Sequence, residues 1–307
     1  MKTQTQTKNN KTKTLKRRKF TSFRPMLLSR HPSHSILRAK NKTLPLLPTQ
    51  SVIRLGSSTE LPDTVVKGGR RIEINSVQAI KNSASKLRMK QCFTEASVKT
   101  ARWFVKYDSI GGRGWIEKGV ALGEADRSIS DLPFPIIAKS HFGSRGVGNT
   151  KLDDQAALEA WMRGKDLNSY IFEQFIKMTR EYRLHVTEDG CFYTCRKLVK
   201  NDAPEGTWQR HDDVCTWVLE SNPSFKKPLN WNAIVEDCIK AQKALGLDIC
   251  AFDVMVQGSK DGIERQNPEW NICESCSAPS FGDVTSEKYI EVIPQLIMKK
   301  YENIRSK

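Results

Sequence analysis

The chain has 307 residues, enough for one large domain or two to three small ones around a buried core, and 38% of them are hydrophobic. Its formal charge of +16 is unevenly placed: residues 1–50 hold 13 Lys/Arg and no acid, and the first acidic residue is Glu60. The other 257 residues carry 37 basic and 34 acidic groups, which excludes a uniformly basic nucleic-acid-binding fold and leaves a near-neutral body behind a basic N-terminal segment.

That segment, residues 1–50, is rich in Lys, Thr, Asn and Ser and reads as a disordered basic tail. Its run Lys16-Arg17-Arg18-Lys19 suits contact with nucleic acid or an acidic protein, and equally suits a solvated tail. Being acid-free and holding Arg and Ser, it also resembles an organellar transit peptide, but it lacks the apolar stretch of a secretory signal. No run of about 18 apolar residues exists to span a membrane. Eight cysteines without an export signal are expected as reduced thiols in a cytoplasmic setting.

Short strands are expected at Val52–Leu55 and Arg71–Ile74, followed by a helix from Asn75 or Ser76 that carries Ile80, Ala84, Leu87 and Met89. Gly111, Gly112, Gly114 and Gly119 mark a loop or loose hairpin. FPIIAK is an apolar strand ending in Lys139, and it runs into HFGSRGVGN, with glycines at 143, 146 and 148. Asp153 and Asp154 cap a helix, and YIFEQFI (170–176) is the next strand. REYRLHV and CFYTCRKLV form a hairpin through Glu188-Asp189-Gly190, since Asp-Gly favours that turn. A helix over 230–245 stops at Gly246, the strands CAFDVMV and EWNICES flank GSKDG, and a last helix covers about 286–302.

Candidate chemistry gathers at three places. Glycines after Lys139 let backbone amides surround phosphate oxygens while the lysine adds a point charge, although the spacing is neither a P-loop nor a Rossmann fingerprint. A period of two puts Asp253 on one face of CAFDVMV, and puts Ile272, Glu274 and Cys276 on one face of the following strand. If these strands pair, the two carboxylates converge, and a cation or a basic side chain must sit between them. Magnesium suits such hard oxygen ligands; a salt bridge to a Lys or Arg is the alternative. On the hairpin, Glu181, Arg183 and His185 share a face, as do Cys195 and Lys197, with Arg196 on the other. His141, in the glycine loop, is expected to be exposed to solvent. The pairs Cys191/Cys195 and Cys273/Cys276 lie within strands and are expected to be buried thiols, not a zinc site.

Taken in order, SASKLRMK, FPIIAKSHFGSRGVG, IFEQFIKMTREYRLHV, FDVMV and ICESCSAPSFG resemble the ATP-grasp superfamily over about residues 75–285, most closely the ribosomal-protein glutamate ligases and related phage-encoded proteins. The resemblance implies an α+β ATP-grasp fold in which two subdomains grip ATP, with one or two Mg²⁺ ions, or Mn²⁺, on its phosphates. It implies a truncated N-terminal region and linking helix at 51–90, a small subdomain with the glycine loop at 91–176, and a large subdomain with the metal strands at 177–307. It makes Lys86 and Lys139 the phosphate-binding lysines. Gly143, Ser144, Arg145, Gly146 and Val147 become part of a mobile loop that runs to Gly148. Backbone at Glu173, Gln174, Phe175 and Ile176 would meet adenine, and Glu181 the ribose. Asp253 and Glu274 would hold the metal; Lys197, or Arg196, would meet the transferring phosphoryl group, and Arg183 and Arg210 a substrate carboxylate. One departure stands out: Cys276 occupies the position of the family's Asn, and a thiol is a poor ligand for magnesium.

The activity so implied is ATP-dependent carboxylate–amine ligation through an acyl-phosphate, adding for instance an amino acid to a peptide or protein. The alternatives are a phosphotransferase of the same fold, or a non-catalytic nucleotide-binding protein recruited to nucleic acid or a virion component by its tail. The expected location is the cytoplasm, the host's if the chain is phage-encoded.

Overall fold

The computed structural model describes residues 23–39, 44–62, 71–109, 112–120, 123–143, 146–208 and 213–306. They form three sheets. The first is parallel, with β1 (Met26–Ser29), β2 (Ser51–Leu55) and β3 (Ile72–Ile74) side by side in that order. All five residues of the central β2 are buried, as a continuous run in a covered parallel strand should be. Helix α1 (Ser35–Ala39) and the long C-terminal helix α6 (Asp283–Arg305) bury Leu37, Ile53, Leu55, Ile72 and Ile74 against Tyr289, Ile293 and Ile297.

Part of the stretch expected to be disordered is structured: within 23–39 and 44–50 the Phe23 backbone bridges Leu47, and β1 is built there. Leu27, Leu37, Leu44 and Leu47 join the core, but they are spaced widely among Lys, Arg and Ser, so that averaged composition hides them. The N-terminal unit is correspondingly larger than the stretch from residue 51 suggested.

Two helices replace the one expected after residue 75: α2 (Val77–Ala84) and α3 (Lys86–Glu95). Ser85 is extended between them, and its hydroxyl accepts from the Arg88 amide at 3.4 Å, as the Ser76 hydroxyl does from Ala79 at 3.1 Å. A serine that can cap competes with helix continuation, and the break makes Lys86 the first residue of α3.

The second sheet is antiparallel and six-stranded: β4 (Trp103–Ser109), β5 (Gly112–Val120), β6 (Gly123–Arg127), β7 (Ile136–Ser140), β8 (Thr150–Leu152) and β9 (Tyr170–Gln174), in the order β6-β5-β4-β9-β7-β8. Helix α4 (Gln155–Met162), capped by Asp154 as expected, places Leu158 against Phe104, Trp115, Ile136 and Phe172. Of the loop or loose hairpin expected there, the hairpin is found: β4 and β5 pair antiparallel, and Gly112, Gly114 and Gly119 lie within β5, which Trp115 anchors in the core; Gly111 lies outside the described residues.

The third sheet is also antiparallel, with β10 (Arg180–Thr187), β11 (Gly190–Val199), β12 (Cys215–Leu219), β13 (Ile249–Val256) and β14 (Trp270–Cys276) in the order β12-β11-β10-β13-β14. Helix α5 (Trp231–Leu245) ends at Gly246, whose φ of +72° favours glycine. It buries Ile234, Cys238, Ala241 and Leu245 against Tyr182, Leu184, Phe252, Val254 and Ile272. Met89 and Phe93 of α3 enter the same core, which ties α3 to this sheet. The observed class is α+β, as expected. Among the described residues no helix is long and apolar enough to cross a membrane.

Candidate functional site

Strand alternation gives the third sheet one apolar face, under α5, and one charged face. On the charged face Glu181 stands opposite Lys197, and Arg183 stands between Cys195 and Asp253. Lys197 Nζ reaches Glu181 Oε1 at 2.9 Å. The Arg183 guanidinium grips Asp253 with both arms, Nε to Oδ1 at 2.7 Å and Nη2 to Oδ2 at 2.9 Å. Burial alone would raise the Asp253 pKa, but the guanidinium outweighs it and holds the carboxyl below its ordinary range. Arg196 is on the other face, donating to the carbonyls of Ser224 at 2.8 Å and Phe225 at 3.2 Å, so Lys197 is the basic residue that faces the row.

Trp217 of β12, not singled out by the sequence, lies opposite Lys197 and closes the row. Its ring is 4.7 Å from the Arg183 guanidinium and 4.9 Å from Lys197 Nζ, within cation–π range of both. The signal was weak: a five-residue strand beyond a segment that gave no pattern.

A bulge alters the expected faces of β14. Asp253 pairs with Glu274 and Val254 with Ile272, leaving Cys273 as the extra residue. The bulge turns Ile272 into the apolar core while Glu274 joins Asp253 on the charged side, so the two do not share a face. Cys276 pairs with Ala251, one step along from the carboxylates.

The second sheet and α3 bring the remaining cations. Lys86 Nζ donates to the Gly143 carbonyl at 2.8 Å and stands 3.5 Å from Glu274 Oε1, linking the glycine loop to β14. One helical turn on, Lys90 is fully buried and lies 3.3 Å from Glu173 Oε2, with Thr100 as its other partner. Lys139 Nζ meets the same Glu173 oxygen at 2.9 Å. Glu173 is 3% exposed, and its other oxygen, Oε1, is buried with no hydrogen-bond partner among the described atoms. Burial opposes the charge of all three. Glu173 and then Glu274 nevertheless hold Lys139 above its ordinary pKa, and Lys139 and then Lys90 hold Glu173 below its own. For Lys90 burial prevails, and its pKa is lowered.

Glu173 was expected to serve through its backbone, but its carboxylate is what the structure places between two lysines. The amides of Gln174 and Phe175 already donate to Arg102 and Pro135, each at 2.9 Å, so these two donors are engaged in holding β9 to its neighbours. Ile176 follows β9 in the segment leading to β10, and the Phe175 ring meets Trp208 edge-on at 6.0 Å. Gly146 and Gly148 have φ of +70° and +80°, which explains glycine there, and Phe142 and Val147 of the same loop are 72% and 74% exposed. Ser144, Arg145 and Arg210 lie outside the described residues.

His141 departs from expectation. It is half-buried instead of exposed, because its backbone amide donates to Ser169 and its carbonyl accepts from Lys86, both at 2.9 Å, and burial lowers its pKa. All eight cysteines are free thiols; of the two close pairs expected to be buried, Cys195 is, whereas Cys191, Cys273 and Cys276 are partly exposed.

The opposed carboxylates have thus met basic side chains. As a divalent-metal site the donors fit poorly: Asp253 gives both oxygens to Arg183, Glu274 faces Lys86, and a thiol stands where a third oxygen is wanted. No three His, Cys, Asp or Glu donors converge among the described residues. Two open cavities, about 450 and 340 Å³, lie beside the C-terminal half of α6, near Lys299. The charged face is lined by its own cross-strand pairs.

His185 closes the row beneath this face. Its Nδ1 is 3.1 Å from the Tyr289 hydroxyl, and burial, then the charge of Arg183, pushes its pKa from 6.5 down to about 3. The native ring is therefore neutral, whereas the unfolded chain takes up a proton near the ordinary value. Stability should fall as pH drops through that window, by up to about 1.4 kcal/mol per pH unit. Urea midpoints measured from pH 7 to 5 should show a shallower slope in His185→Gln than in the parent; equal slopes would remove His185 as the source. His141, lowered in the same direction, contributes to the slope that remains, together with carboxylates that cations hold low, such as Glu173 and Asp253.

No family model matches the chain, and no curated protein sequence matches it. Several solved structures are similar to it at low identity. The D-alanine–D-alanine ligase from Bacillus anthracis is 15% identical over 75% of this chain and 71% of its own, with a TM-score of 0.49. The same enzyme complexed with ATP is 13% identical over 75% and 70%, with a TM-score of 0.48. The ATP-grasp ligase PsnB complexed with minimal precursor is 14% identical over 69% of this chain and 57% of its own, with a TM-score of 0.45. What the site does has to be argued from its residues.

Proposed function

We propose that the chain is an ATP-dependent carboxylate–amine ligase of the ATP-grasp kind. The observation that carries this reading is Lys86, whose Nζ joins the Gly143 carbonyl of the glycine loop to Glu274 of the carboxylate strand. A phosphate-suited loop and a carboxylate pair, far apart in sequence, thereby meet at one seam between two sheets. In this reading the triphosphate lies along that seam, between the units at 91–176 and 177–307, with adenine toward residues 173–176.

The reaction needs positioned charge more than a nucleophilic side chain. A substrate carboxylate attacks the γ-phosphorus, the bond to the β-phosphate oxygen breaks, and ADP leaves behind an acyl-phosphate. An amine then attacks the acyl carbon and expels phosphate, giving the amide. Lys86 and Lys139 would neutralise the phosphates, Lys197 the transferring group, and Arg210 the substrate carboxylate, since both arms of Arg183 are given to Asp253. Glu181 would take the ribose hydroxyls. An amino acid or a peptide is the substrate class, and a cytoplasmic setting, with reduced thiols, fits it; the basic residues before Phe23 would serve recruitment to an acidic partner.

Amino acids and peptides, supplied in pairs with ATP, should give ADP together with a product heavier by one condensation. Hydroxylamine should divert the intermediate to a hydroxamate. A phosphorylated product with no hydroxamate would make the chain a phosphotransferase. ATP binding without turnover, together with RNA binding unaffected by Lys139→Ala, would make it a non-catalytic binder.

A further inference from the structure

The charged face holds five cations, Lys86, Lys90, Lys139, Arg183 and Lys197, and four carboxylates, Glu173, Glu181, Asp253 and Glu274. Every carboxylate in the group faces a cation. The closest match of shape is at Asp253, where a planar fork meets a planar carboxylate through two parallel hydrogen bonds.

We propose that the guanidinium of Arg183 is this chain's built-in cation at Asp253, so that a nucleoside triphosphate is bound without a divalent ion coordinated by that carboxylate. The inference rests on the nucleotide reading above and adds to it a statement about metal dependence. Three independent features hold Arg183 in place. Directly opposed backbone positions on β10 and β13 set the pair in register. Both acceptor oxygens of Asp253 are engaged, at 2.7 and 2.9 Å. The indole of Trp217 covers the guanidinium at 4.7 Å from the ring centre, so that leaving Asp253 would also forfeit a cation–π contact.

The rest of the donor set points the same way. A hard cation replacing Arg183 would need further oxygens, but Glu274 is turned to Lys86 and the next inward residue is the thiol of Cys276. The guanidinium cannot lose its proton, so its charge is constant where a metal's occupancy would vary with concentration. The triphosphate would therefore meet a fixed field of Lys86, Lys139, Lys197 and Arg183.

The test is ATP affinity of the full chain, by titration calorimetry, in magnesium and in excess EDTA, with Mn²⁺ binding to the nucleotide-free chain followed by electron paramagnetic resonance. Affinities in the two buffers should agree within about threefold, and no Mn²⁺ should bind below about 1 mM. Arg183→Met should lose affinity in EDTA by about tenfold or more and gain a Mn²⁺ signal that Arg183→Met/Asp253→Asn lacks. ATP binding to the parent chain only with magnesium, or a tight Mn²⁺ site lost in Asp253→Asn, would overturn the proposal while leaving the nucleotide reading intact. No ATP binding in either buffer by a chain with native circular dichroism would overturn the nucleotide reading itself, and the proposal with it. The parent-chain comparison decides even if the Arg183 variants fail to fold.

Discussion

Glu173→Ala is expected to lower folding stability by about 3–5 kcal/mol, the largest loss from any single charged residue of the site. Its carboxylate is shared by Lys90, which has no exposed surface, and by Lys139, of which little is exposed. Without it two ammonium groups would face each other in a region that excludes water, with Thr100 as the remaining partner of Lys90. Either one lysine loses its proton or the junction of α3, β7 and β9 opens to let water in. The loss should come from the stranded charges and not from missing volume, and a second variant separates the two. Lys90→Met/Glu173→Leu/Lys139→Met replaces the triad by apolar groups of similar size and should recover most of the stability, because a buried ion pair gains little over a well-packed apolar set. Urea unfolding of the three proteins decides it. A loss below about 1 kcal/mol in Glu173→Ala would mean that the lysines find other acceptors.

How much of this was legible in the sequence depends on whether a residue's environment is local. The strand ending in Lys139 announced itself as an apolar run and those around Arg183 and Asp253 by alternation, and the Asp-Gly turn and Gly246 marked limits of the latter two. Convergence of Asp253 with Glu274 followed from pairing two adjacent strands. What failed to show were features decided across the fold. The break at Ser85 depends on a hydroxyl choosing to cap. The bulge at Cys273 undoes a strict period of two, and only the partner strand reveals it. β1 is four residues long and has no meaning without β2 beside it. At Asp253, where a metal or a basic side chain was expected, the fold places Arg183, whose position depends on the order of strands in the sheet. Glu173 is the clearest case: the family resemblance implied a role for its backbone, and two lysines from separate elements engage its side chain.

Lys139→Met should cost about 100- to 1,000-fold in ATP-dependent product formation, the scale seen when one preorganised donor to a developing charge is removed. Met keeps most of the volume of the side chain and removes its charge. The variant leaves Glu173 paired with Lys90, so its folding penalty should be well below that of Glu173→Ala, and the activity can be read on a folded protein. The expected partition also separates two roles. If Lys139 only holds the nucleotide, KM for ATP rises and kcat stays; if it follows charge onto the transferring phosphoryl group, kcat falls as well. The arrangement favours both effects, since Lys139 stands where Glu173 can release it toward a phosphate while Lys90 keeps Glu173 charged. Lys90→Met makes the complementary case. It touches no proposed ligand, but it would leave Lys139 as the sole cation on Glu173 and bind that pair more tightly, so KM for ATP should rise with little change in kcat. Steady-state kinetics of the two variants would show the contrast. Unchanged product formation in Lys139→Met would remove this lysine, and with it the seam beside Glu173, from the phosphate site.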